Sequence, residues 1–144
     1  MKIEIKNRFS LQVQIEGEYD SISDCAEKNS AYLRGAYLRG AYLRGAYLRG
    51  ADLRGAYLRG ADLRDAKGYV NSHDFFREII RREKAGVFTD KEWSAIAQII
   101  IQRLCWDTIK RRFSDVIPHI FQILTEAGFI EWLEYWHEIV KEGK

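Results

Sequence analysis

The chain has 144 residues, of which 47% are apolar, 13% aromatic and 31% charged, enough for the core of one domain and too apolar for disorder. Lysine and arginine exceed aspartate and glutamate by 23 − 21 = +2, so the total charge names no partner, but the balance is −2 over residues 1–30, +4 over 31–66 and 0 over 67–144. Cys25 and Cys105 make neither a disulfide framework nor a zinc pattern and fit a reducing cytoplasm, while the charged start Met1-Lys2-Ile3-Glu4-Ile5 and the want of a long apolar run argue against secretion and membrane spanning.

At the N-terminus Ile3 and Ile5 alternate with charges, and Leu11, Val13 and Ile15 alternate with Gln12, Gln14 and Glu16. With a turn over Asn7 to Ser10, residues 2–19 read as a β-hairpin. Ser21 or Ser23 then caps a short helix that runs to about Lys28.

From Ala31 the sequence reads AYLRG four times, then ADLRG, AYLRG and ADLRD, which puts leucine at 33, 38, 43, 48, 53, 58 and 63. A period of five fits no helical stripe, and its glycines would weaken a helix by about 1 kcal/mol each. A flat strand fails as well, because an odd period sends successive leucines to opposite faces. What remains is a chain that turns a corner every five residues. Ala66-Lys67-Gly68-Tyr69-Val70 reads as a decayed eighth unit.

These units resemble the pentapeptide repeat family, A(D/N)LXX, whose members wind a right-handed, four-sided β-helix with four units per coil. The resemblance implies that Ala31, Leu33 and their equivalents point inward, while Tyr32, Arg34, Gly35 and theirs face out or form the corner. Tyrosine at 32, 37, 42, 47 and 57 departs from the family's Asp or Asn, which survives only at Asp52 and Asp62. Under two coils make a plug about 10 Å tall whose two ends expose leucine and unpaired backbone, so both ends need caps. The opening hairpin and helix supply one, and their order resembles that of pentapeptide repeat proteins of bacteria and phages.

From Ser72 the pattern is helical. Ser72 caps a helix bearing Phe75, Phe76, Ile79 and Ile80 that ends near Gly86. Thr89 and Glu92 form a capping box for a second helix, whose Trp93, Ile96, Ala97, Ile99, Ile100, Ile101 and Leu104 leave so little polar surface that it should be central. A third runs from near Asp107 to Phe113. The fourth carries Val116, Ile117, Ile120, Phe121, Ile123 and Leu124, with Pro118 in its first turn and Gly128 past its end. The fifth spans Phe129 to about Lys141. The expected class is α+β, comprising a hairpin and short helix over 1–30, a quadrilateral β-helix over 31–70 and a helical bundle over 71–144.

Catalytic constellations are weak. Cys105, Asp107 and His119 could supply a nucleophile, an orienting group and a base, but a buried cysteine, a helix cap and a histidine at a helix start explain them as well. Glu134 and His137 are one copy of a spacing that di-iron bundles use twice. No catalytic residue, metal or cofactor is expected. The repeat surface is the stronger candidate: Tyr32, Arg34, Tyr37, Arg39, Tyr42, Arg44, Tyr47, Arg49, Arg54, Tyr57 and Arg59 form a platform of residue types enriched at binding hot spots. Arg34 should lie over Arg54, Arg39 over Arg59 and Arg44 over Arg64, with the tyrosines moderating the repulsion. Lys110-Arg111-Arg112 suits a helix C-terminus. On the last helix the apolar arc spans about 220°, more than one packed face needs; either both faces are covered within the chain, by the bundle and by the β-helix end, or the helix self-associates, and on the second reading Trp132, Tyr135, Trp136 and Ile139 are assigned to a homodimer contact.

Known members of the resembled family include gyrase-binding proteins that mimic duplex DNA with a long acidic β-helix, whereas the repeats here are short and positively charged. The expected function is therefore a non-enzymatic, cytoplasmic protein-binding scaffold, an inhibitor or modulator of a host protein carried by a phage or prophage, with an acidic protein as partner and no membrane role. The alternative is a nucleic-acid binder using the same Arg/Tyr surface, for which +4 is a weak footprint.

Overall fold

A computed structural model describes residues 1–142, which divide into two compact units, the first Met1–Glu78 and the second beginning at Ile79. In the first, β1 (Lys2–Lys6) pairs antiparallel with β2 (Val13–Glu18), and the register slips between Ile5 and Lys6. Asn7 makes the turn: its side-chain oxygen accepts from the N–H groups of Phe9 and Ser10. Ile5 and Ile15 are buried, whereas Phe9, Leu11 and Val13 are exposed. Helix α1 (Ile22–Lys28) is N-capped by Ser21, which accepts from the Asp24 N–H.

Over the repeats each corner is closed by a hydrogen bond from an alanine N–H to the leucine carbonyl three residues earlier, from Ala36 to Leu33 through Ala66 to Leu63. The third residue of such a turn takes positive φ, which explains glycine there from Gly35 to Gly60; Asp65 adopts the same conformation at 60° without being glycine. The chain then pairs with itself in parallel, Tyr37 with Tyr57, Tyr42 with Asp62 and Tyr47 with Lys67, always twenty residues on. Residues 31–50 and 51–70 are thus two hydrogen-bonded layers. All seven repeat leucines are buried, each contributing about 2 kcal/mol of hydrophobic stabilisation. Ala31 departs from the inward position the repeat implies and is exposed, because it lies within the 3₁₀ turn Ser30–Tyr32 and not in the repeat's own backbone conformation.

The first layer is capped by the N-terminal segment. Gln14 Nε2 donates to the carbonyls of Tyr32 and Arg34, at 2.7 and 2.9 Å. Tyr37 N–H donates to the Lys6 carbonyl and Arg8 N–H to the Gly35 carbonyl. Ser23 Oγ reaches the Tyr42 carbonyl at 3.2 Å, and Glu27 accepts from the Tyr47 N–H at 2.7 Å. Each tyrosine position of the layer therefore has a partner for its backbone.

The second layer has no third to pair with, and side chains substitute for it. Gly35 N–H donates to the Arg54 carbonyl, but the equivalent Gly55 N–H donates to Asp74 at 3.3 Å. Asp52 and Asp62 accept from the N–H groups of Arg54 and Arg64 two residues on, which gives a physical reason for aspartate in the last layer. Tyr69 occupies the decayed eighth unit, is buried, and stacks on Phe75 at 4.4 Å. Phe75 lies in α2 (His73–Arg81), whose first turn uses Ser72 Oγ as acceptor for the Phe75 N–H. That helix stops at Arg81, short of the expected Gly86.

The second unit holds α3 (Asp90–Gln102), α4 (Trp106–Phe113), α5 (Ile117–Glu126) and α6 (Glu131–Glu142). Thr89 and Glu92 make the expected reciprocal capping box. The expectation that α3 is central fails: it buries Glu92, Ala95, Ile96 and Ile99, the i, i+3, i+4, i+7 stripe of a surface helix, and leaves Ile101 80% exposed. Its last turn ends at Arg103 in the left-handed region. Pro118 sits in the first turn of α5 and Gly128 follows its end, as expected. The core joins α5 to α6 through Phe121 against Trp132 and Trp136, with Trp106 of α4 edge-on to both Phe121 and Tyr135. Among the described residues no helix is long and apolar enough to cross a membrane.

Candidate binding surface

Three rows of second residues are bridged between the layers, Tyr37 with Tyr57, Tyr42 with Asp62 and Tyr47 with Lys67; the fourth sequence-equivalent pair, Tyr32 and Asp52, is not, because Tyr32 ends a 3₁₀ turn and the Asp52 N–H donates to the Ser30 carbonyl instead. The ladder holds the backbone of Tyr42 and Tyr47, and Gln14 that of Tyr32; the three side chains are 78%, 52% and 68% exposed. Arg34, Arg39, Arg44, Arg49, Arg54 and Arg59 are all exposed. The arginines follow the expected stacking at backbone level, since Gly35, Gly40 and Gly45 donate to the carbonyls of Arg54, Arg59 and Arg64.

The rows differ in their electrostatics. In the Tyr42 row, Arg64 holds Asp62 through two side-chain hydrogen bonds of 2.9 and 2.8 Å and lowers its pKa to about 2. Arg44 pairs with Asp65 at 3.3 Å, so both arginines of that row face carboxylates. The Tyr32 row carries Asp52. The Tyr47 row has Arg49 and Lys67, with Glu27 bound at the Tyr47 N–H.

The Tyr37 row differs from all of these. Its two rings stack at 5.6 Å and 24°, and Arg8 from the hairpin turn lies 4.6 Å from the Tyr57 centroid and donates to the Gly55 carbonyl. Arg8, Tyr37, Arg39 and Tyr57 line an open cleft of about 330 Å³. The expected pairing of repeat tyrosines with repeat arginines is replaced here by a cation from outside the repeats. Arg8 was not legible as a surface residue, because no periodicity links position 8 to position 57.

The other candidate residues are scattered. Cys105 N-caps α4 and its sulfur bonds the Thr108 hydroxyl, while His119 pairs with Glu92; Asp107 is exposed in the first turn of α4. Glu134 and His137 are both exposed, and among the described residues no group of three His, Cys, Asp or Glu side chains could hold a metal ion. Lys110 donates to the Ile139 carbonyl of α6. Of the four residues assigned to a dimer contact, Trp132 and Trp136 are buried within the chain, and Tyr135 and Ile139 are half-buried.

Glu92 gives the second unit a pH dependence. Burial pushes its carboxyl up, but the Thr89 N–H and His119 outweigh it, leaving the pKa below the ordinary 4.5. A folded value below the unfolded one means that the contribution is complete above the unfolded pKa and is lost as pH falls through the folded one. Stability of the wild type should therefore drop on acidification below about pH 4.5, and Glu92→Gln should be weaker at neutral pH with a flatter acid limb. Denaturant midpoints measured against pH check this; parallel acid limbs would remove Glu92 as the source.

Residues 29–67 match the family model for pentapeptide repeats in 8 copies, so this stretch is a pentapeptide repeat segment, and the rest of the chain is not recognised. Neither the curated proteins nor the solved structures gave a significant match.

Proposed function

We propose that the repeats form a short right-handed four-sided β-helix serving as a non-enzymatic protein-binding scaffold, which presents arginine and tyrosine to an acidic protein. Corners every five residues and parallel bridges every twenty support the β-helix. The observation that carries the binding reading is the exposure of Tyr32, Tyr42 and Tyr47 among exposed arginines on a hydrogen-bonded frame. Large aromatic area fixed in place costs little entropy on binding, and tyrosine and arginine are the residue types in which interface binding energy concentrates. Action as a modulator of a host protein accords with this reading and rests on the family resemblance.

A photo-crosslinking residue in place of Tyr37, with Tyr42 and Tyr47 replaced in parallel variants, in the full chain expressed in its own organism, tests the reading. The expected product is a discrete acidic protein whose capture resists nuclease. Adducts that vanish on nuclease treatment, together with duplex binding that weakens steeply with salt, would replace the reading with nucleic-acid binding; no adduct at position 42, 47 or 37 would remove it.

A further inference from the structure

We infer that the partner's contact is the Tyr37 row specifically, and that the occupant is an acidic, extended segment of a protein whose carboxylates bridge Arg39 and Arg59. The inference rests on the proposed scaffold reading and locates its site. Arg39 and Arg59 occupy equivalent positions in adjacent layers, tied by the 3.0 Å bond from Gly40 N–H to the Arg59 carbonyl. Among the described residues neither has an ion pair, and both are exposed. Two arginines whose backbones lie about one strand spacing apart add their positive charge in one place, and a carboxylate between them would offset it with charge-assisted, fork-like hydrogen bonds.

Comparison of the rows singles this one out. Arg44 and Arg64 are already paired with Asp65 and Asp62, the Tyr32 row contains Asp52, and Glu27 borders Tyr47. The Tyr37 row has Arg39 and Arg59, with Arg8 added by the hairpin, and no carboxylate of its own. Asp74, an acid at the Gly55 corner, accepts from the Gly55 N–H. The stacked tyrosines supply apolar contact beside the cations, in the residue combination that carries binding energy at interfaces.

The same geometry disfavours a nucleic acid here. Base stacking needs an open ring face, and Tyr57 already has the Tyr37 ring and the Arg8 guanidinium against it. Three cations also cover few phosphates.

The test is fluorescence anisotropy of a labelled oligoglutamate peptide with the full chain at low salt, alongside a labelled oligothymidylate. Arg39→Gln with Arg59→Gln should weaken oligoglutamate binding by about tenfold or more, whereas Arg34→Gln with Arg54→Gln should change it by less than about twofold. Circular dichroism verifies that both double variants stay folded. Amide and ring shifts of Tyr37 and Tyr57 should move on titration of the wild type. Equal losses from the two pairs would overturn the row assignment and leave the acidic-partner reading standing. Preference for the oligothymidylate would overturn both, and binding of neither probe would overturn the inference.

Discussion

Leu48→Lys should abolish cooperative folding of the unit Met1–Glu78. Leu48 is 3% exposed and its N–H donates to the Lys67 carbonyl at 2.7 Å, so the new ammonium group would be held inside a layer lined by leucine and alanine. An unpaired charge in such a core costs several kcal/mol, against a total stability of about 5–15 kcal/mol for a whole domain. Arg49→Lys, one residue on and exposed, should stay within about 0.5 kcal/mol of the wild type. Amide hydrogen exchange across residues 33–67 reads the difference: protection should disappear in the first variant and persist in the second. Retained protection in Leu48→Lys would mean that the leucines do not form the core assigned to them.

Gly68→Ala and Gly50→Ala should differ sharply although both glycines have φ near +75°, at +76° and +73°. Positive φ alone costs an alanine about 1–2 kcal/mol. At Gly50 the added methyl meets nothing within 4 Å, so that is the whole penalty. At Gly68 it would lie 2.6 Å from the Arg49 nitrogen and 2.9 Å from its Cα. Backbone must then move, and the pairing of Lys67 with Tyr47 moves with it, for a combined loss of about 3 kcal/mol or more. Paired denaturant unfolding curves decide the matter; equal midpoints for the two variants would show that the layers are not in close approach at this corner.

Local chemistry was readable wherever the signal and its partner lie within a few residues. Thr89 and Glu92, Ser21, and Pro118 with Gly128 act at the helix they bound, so their spacing in the chain is their spacing in space. The period of five belongs to the same class, because each corner closes between a leucine and the alanine three residues on. Burial of α3 was misread for the opposite reason. Its apolar composition is nearly continuous, and composition does not say which stripe has a neighbour to pack against; Ile96 and Ile99 do, and Ile101 does not.

By itself the sequence determined where the chain turns, that seven leucines share one interior, and which residue types are left to face outward. Only the tertiary structure decided that Gln14, Ser23 and Glu27 cap the first layer, that Asp74 stands in for a missing third one, and that Arg8 joins Tyr37 and Tyr57. It also decided that Trp132 and Trp136 belong to the core of the second unit. The reason is common to all four. Each is a contact between positions with no periodic or local relation, made by side chains whose partners are chosen by the path of the backbone, and a repeating pattern in one dimension cannot say which row receives a neighbour in three.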